Sequence, residues 1–224
     1  VAALKPPATN IRHVAFTRLK EKAGESAKAV TALSNDENPY VAARAIWLLA
    51  QLGEVGTQRV RIWLESENPN KRLVALRALR AANPDVIDLL STMAHDGSPA
   101  VRREVAVALR DVPLAQSQNI LVEIAKRYDG KDRSYLEAWG LGCTGKEAPV
   151  WIVLKKILDG DPLSWSEKFA NLTWRLHSLE AVADLQMRAT SKQLSAAERK
   201  LALDTLAFTN DASAAQAMLA VAKD

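Results

Sequence analysis

A chain of 224 residues that is 48% hydrophobic and 25% charged has ample apolar material for a continuous core, a composition that excludes intrinsic disorder. Its single cysteine, Cys143, excludes an internal disulfide and a cysteine-based metal cluster, and no run of 18 or more apolar residues is present to form a membrane-spanning helix. The net charge of +4 lies entirely in the first half, where residues 1–112 carry 16 Lys/Arg against 12 Asp/Glu, whereas residues 113–224 carry 14 of each. The chain begins at Val1 without a methionine or a signal-type segment and stops just after a helical pattern, so it is expected to be a piece of a larger protein.

Residues 9–22, TNIRHVAFTRLKEK, form a first, degenerate unit with Ala15 and Leu19 at its core positions. The next three units declare themselves through Asn38-Pro39, Asn68-Pro69 and Ser98-Pro99, each step 30 residues after the last. Asn or Ser before the proline accepts a hydrogen bond from an orphan helix N–H, and proline at the first helical position gives up a donor that had no partner. Counted from the proline, Ala45, Ala75 and Val105 coincide, as do Leu49, Leu79 and Leu109. Shorter helices at about 25–34, 56–66 and 84–95 lie between the proline-started ones, with apolar residues recurring at three and four. Each unit is thus an antiparallel helix pair, and a period of 30 residues marks a solenoid whose units bury their apolar faces on one another.

Acidic residues precede the longer helices (Asp36, Glu37, Glu65, Glu67, Asp96), and bases close them at Lys20, Arg80 and Arg110. Such placement complements the helix macrodipole, at about 0.3–1 kcal/mol per charge. Stability therefore accounts for much of the basic column.

From 114 the period loosens. Helices are expected at 115–127, 132–142, 147–159, 166–176, 178–190 and 195–208, with another begun at 212–222, for a total of about twelve helices and no strand. Tyr128-Asp129-Gly130-Lys131-Asp132 replaces the proline step: Gly130 permits backbone angles closed to other residues, and Asp132 is placed to cap the helix that follows. The changed connection is expected to alter the curvature of the superhelix. The fold class is all-α, a right-handed α–α superhelix of HEAT-like or armadillo type, forming a single repeat domain over 1–224 with regular units at 9–112 and irregular ones at 113–224.

Three stretches, YDGKDRSYLEAWGLGCTGKE at 128–147, WRLHSLEAV at 174–182 and RKLALDTLAFTNDASAAQAML at 199–219, resemble the HEAT-like middle region of large bacterial haem-binding, membrane-bound, sorbosone-dehydrogenase-like proteins. In that family a β-propeller precedes the helical region and a c-type cytochrome domain follows it. The resemblance implies an exported, periplasmic redox protein of which this chain is the helical spacer, with those flanking domains or a separate protein as partner. The chain has no CxxCH for haem attachment and no strand-rich propeller, so no haem ligand or dehydrogenase residue carries over, and no cofactor is expected in this segment.

Few residues carry chemistry. His13, His95 and His177 stand 82 residues apart at each step and lack the i, i+4 spacing of a helical metal site. Cys143 has no histidine near it in sequence and reads as a structural thiol. Gly140-Leu141-Gly142 lacks the lysine of a phosphate loop and reads as a helix stop. Trp47 and Trp63 fall on apolar helix faces and read as core. Trp139, Trp151, Trp165 and Trp174 crowd into the irregular part beside Tyr128 and Tyr135, where they serve either as a binding surface or as large core fillers. Tyr128, Arg133, Tyr135 and Trp139 are the candidate interaction residues, with room for one of Arg133 and Trp139 to face outward. The expected function is a non-catalytic scaffold or protein-interaction module. The alternative is a nucleic-acid-binding HEAT-like protein of the alkylpurine DNA glycosylase type. A chromophore lyase of HEAT-like type is a third reading that rests on repeat similarity alone.

Overall fold

The computed structural model describes residues 1–83, 85–158 and 160–223, and helix is the only regular element among them. The helices are α1 (Thr9–Glu21), α2 (Gly24–Leu33), α3 (Pro39–Leu49), α4 (Gly53–Arg61), α5 (Pro69–Ala82), α6 (Ile87–Met93) and α7 (Pro99–Ala108). They continue as α8 (Leu114–Lys126), α9 (Arg133–Gly142), α10 (Glu147–Leu158), α11 (Glu167–Leu176), α12 (Val182–Thr190), α13 (Ala196–Phe208) and α14 (Ala212–Val221). The α–α solenoid expected from the period is present, with fourteen α-helices among the described residues instead of about twelve. The difference lies at the two ends, where segments resembling partial units form full helices of 13 residues (α1) and 10 residues (α14). Positions 84 and 159, at the edges of two expected helices, lie outside the described residues.

The chain divides into two compact units, residues 1–89 and 90–224. The division falls inside α6 and not at residue 112, where the repeat loosens. In the first unit α3 packs on α5, α2 on α4, and α2 and α4 cover the row that α3 and α5 form. In the second, α7, α9, α11 and α13 pack in succession, backed by α8, α10, α12 and α14. Ala45, Leu49, Ala75, Val105 and Leu109 are fully buried and Leu79 is nearly so, as their shared register requires. Only α1 departs from the pattern: Ala15 and Leu19 are half-buried, and no residue of that helix is buried outright.

The helix starts use the expected chemistry twice out of three. The Asn38 and Asn68 side chains accept from the backbone N–H of Tyr40 and Asn70 at 3.0 and 2.9 Å, whereas Ser98, with a shorter side chain, makes no cap bond. A second column, in the same register at 12, 72 and 102 but with alanine at 42, supports three of the helix starts. Arg72 donates to the carbonyls of Ser66 (2.7 Å) and Glu67 (3.1 Å), Arg102 to those of Asp96 (2.6 Å) and Gly97 (3.1 Å), and Arg12 to those of Pro6 and Pro7. Each arginine thus ties the loop before its helix to the helix's first turn. The acids of the same loops act locally too: Asp36 and Asp96 accept from the backbone N–H groups of Asn38 and Ser98 at 3.0 and 2.7 Å. The side-chain bond from Lys5, then that from Asn38 N–H, holds the Asp36 carboxyl below its ordinary range.

Candidate interaction surface

The joint at 128–147 forms as its residues dictate. Gly130 takes φ +86°, and the Asp132 carboxylate accepts from Tyr135 N–H at 3.0 Å to start α9. The helix so aimed drives its aromatics inward. Tyr128, Tyr135 and Trp139 are 4%, 2% and 0% exposed, which corrects the expectation that these three line a contact surface. Their polar ends explain why burial is tolerated. Trp139 donates its indole N–H to Leu121 O at 2.9 Å, and Tyr135 donates to Ile124 O at 2.8 Å while accepting from Arg102 Nε at 3.0 Å. Tyr128 stacks on Tyr135 at 5.9 Å between ring centroids. A buried polar group with its partners in place costs little, whereas one stripped of them costs about 1–3 kcal/mol.

Of the four candidates, Arg133 faces outward. Its guanidinium lies 4.4 Å from the ring centre of Trp174 and pairs at 2.5 Å with Glu137, whose second oxygen meets Arg175 at 2.6 Å. Trp174 itself is half-buried, while Trp151 and Trp165 are core, meeting edge-on at 6.5 Å, with Phe169 beyond at 4.9 Å. Trp47 and Trp63, expected in the core, are only half-buried, and Lys71 lies over Trp63 at 4.4 Å.

The glycines of this segment serve close approach and not helix termination. Neither Gly140 nor Gly142 has a positive φ, and the left-handed position belongs to Gly145. A Cβ on Gly142 would stand 2.3 Å from the Ala106 carbonyl oxygen, so α7 and α9 meet at a distance only glycine allows. A Cβ on Gly140 would strike the Arg175 side chain at 2.4 Å. Just beyond, the buried Lys146 ammonium donates to Leu109 O (2.6 Å), Arg110 O (2.9 Å) and Gly142 O (3.0 Å), satisfying carbonyls left open where α7 and α9 end. Desolvation lowers the pKa of this lysine. Burial, reinforced by Glu147, pushes the neighbouring Cys143 thiol far above its ordinary range, the reverse of what a nucleophile needs.

Sequence reasoning missed a second feature, past the end of α11. His177 takes the left-handed conformation (φ 48°, ψ 39°), unusual for a residue other than glycine and costing on the order of 1–3 kcal/mol. Its ring contacts Trp174 and Phe208, each at 5.7 Å, and desolvation and then Arg175 lower its pKa, favouring the neutral imidazole. Beside it runs a groove of about 450 Å³ lined by Glu147, Leu179, Glu180 and Phe208 among others. The signal available was only WRLHSL, in which a histidine ends an apolar run with no glycine to close the helix. His13 and His95 are exposed and remote in sequence from this groove, and among the described residues no group of three or more His, Cys, Asp or Glu converges as metal ligands. Nor is any helix among them long and apolar enough to cross a membrane.

Residues 57–142, from the middle of α4 to the end of α9, match the family described as HEAT repeats. No curated protein matches the chain. Over its central part the chain is thus similar to HEAT repeats, and its described residues form an all-α solenoid.

Proposed function

We propose that this chain is a non-catalytic helical-repeat scaffold that works by contacting other proteins. The observation that carries the reading is the commitment of its reactive and basic groups to structure. Cys143 is sealed, Lys146 is held by three carbonyls, and the Tyr135 hydroxyl is fully bonded. The match to HEAT repeats, which commonly mediate protein contacts, agrees with it. No cofactor enters the proposal.

The same commitment bears on the nucleic-acid alternative. Within the basic first half, Arg12, Arg44, Arg59, Arg72 and Arg102 turn their guanidinium groups to protein oxygens, and Lys20 binds Gln51 at 3.0 Å. A groove for DNA needs such groups free to displace counterions from phosphates. Titrating duplex DNA at physiological salt is expected to show no binding tighter than about 10 μM, the range of ordinary non-specific association. A salt-dependent sub-micromolar affinity overturns the scaffold reading.

The finer context, a spacer between a propeller and a c-type cytochrome domain of an exported, periplasmic redox protein, rests on the resemblance at 128–147, 174–182 and 199–219. Under it, Arg133 with Trp174 is the part of the joint that a flanking domain would touch. Reading the flanking coding sequence for CxxCH and a strand-rich propeller tests that context directly.

A further inference from the structure

The surface around Phe208 brings together exposed apolar side chains, two adjoining grooves and carboxylates. Phe208 is 65% exposed, and Leu179 nearby is 50% exposed. Phe208, Thr209 and Asn210 form the shared wall between the His177 groove and a second groove of about 610 Å³ running toward Asp211 and Met218. The acids of the two grooves are Glu147, Glu180 and Asp211, and no lysine or arginine lines either one. Their carboxylates accept local bonds, Glu147 from Gly145 N–H, Glu180 from the Ser178 hydroxyl and Asp211 from the N–H and hydroxyl of Ser213. The bases adjacent in sequence to the lining are otherwise engaged: the Lys146 ammonium is buried among carbonyls, and Arg175 pairs with Glu137 at 2.6 Å. By contrast, the groove of about 510 Å³ in the first unit, beside the exposed Tyr40, mixes Glu37 with Lys71, and its Asp36 is already paired with Lys5.

We infer that the Phe208 surface is a docking site for an extended segment of a protein partner in which lysine or arginine stands beside a large apolar side chain. The apolar residue packs against Leu179 and Phe208, whose aromatic ring offers a large contact area, and the cation meets the Glu147 and Glu180 carboxylates. His177 fixes the floor: its left-handed backbone ends α11 and turns its ring against Phe208. The inference rests on the reading of the chain as a protein-interaction module.

The test is to pan a displayed library of random dodecamer peptides against the whole chain and measure the affinity of the enriched peptides, made synthetically. Enriched sequences are expected to place Lys or Arg next to Phe, Leu, Ile or Trp. Phe208→Ala should weaken them by about thirty-fold, the effect of losing an interface anchor. The pair Glu147→Gln and Glu180→Gln should weaken them by about five-fold, as exposed charge pairs do. Tyr40→Ala, which truncates an equally exposed aromatic in the other unit, should change nothing. Peptides that enrich yet bind Phe208→Ala unchanged would overturn this surface and leave the interaction-module reading standing, whereas no enrichment counts against both. A dimer seen by light scattering and dissolved by Phe208→Ala would overturn the proposal in favour of a second copy as occupant.

Discussion

The two units start their long helices differently. In residues 1–89 an asparagine caps a proline at positions 38 and 68, and surface groups do the rest, with Lys5 on Asp36 and Arg72 on its own loop. In residues 90–224 α7 still begins with Ser98-Pro99, but the α-helix caps after it are Asp132, Ser166, Ser195 and Asp211 without a following proline, and polar groups move inside: Arg102 on Tyr135, Trp139 on Leu121 O, Trp151 on Thr173 and Lys146 on three carbonyls. A regular repeat reuses one interface, so small aliphatics suffice. Where the period breaks, the space between helices varies from pair to pair, and large side chains with a bonding end fill it while fixing its shape.

If that contrast is right, the largest losses come from the anchors of each solution. Trp139→Ala should cost about 3–5 kcal/mol, and Leu79→Ala and Leu109→Ala about 2–5 kcal/mol each, read from urea melts. A loss below about 1 kcal/mol for both leucines breaks the register on which the repeat is built.

Glycine substitutions sharpen the comparison within the second unit. Gly142→Ala should cost about 1–3 kcal/mol, because the new methyl meets a helix backbone that has nowhere to move. Gly140→Ala should cost less, since the group it strikes is the Arg175 side chain, which can swing aside. Equal effects in thermal melts would mean that α7 and α9 do not approach as closely as Gly142 requires.

The smallest effect is a slope with pH. Burial and Arg175 lower the His177 pKa, with Glu137 opposing them and Glu147 and Glu180 lining the same groove. Because the folded state holds the proton less tightly than the unfolded state, this histidine's contribution is complete above the unfolded value of about 6.5 and declines as pH falls from there toward the folded value. His177→Asn, which keeps a residue tolerant of the left-handed conformation, should flatten the stability profile below about pH 6.5 relative to the parent chain. An unchanged profile in that window would show that His177 titrates normally.

Much of the fold was legible because it depends on local rules. Spacing at 38, 68 and 98 located the helix starts, and coincidence at 49, 79 and 109 located the core. Gly130 and Asp132 were readable for the same reason, one by its backbone freedom and the other as a cap. The arginine column at 12, 72 and 102, which skips the unit with Ala42, was not legible, because its partners are backbone carbonyls, which leave no mark in sequence. The site was harder to read. Whether Trp139 faces in or out depends on Leu121, 18 residues away, and on Gly142 meeting Ala106 O, and neither contact is a local property. Likewise, the grouping of Phe208 with Glu147 and Glu180 exists only after the helices have packed.

The central claim is that the aromatic stretch at 128–147 is the core of its unit and not a docking face, and native-state hydrogen exchange of α9 tests it most directly. The amides from Leu136 to Cys143 are expected to exchange only when the unit unfolds as a whole, with an opening free energy that matches its stability in denaturant and falls with the same slope. Exchange through a local opening insensitive to denaturant, while α7 and α11 stay protected, would contradict the account and return Tyr135 and Trp139 to the surface.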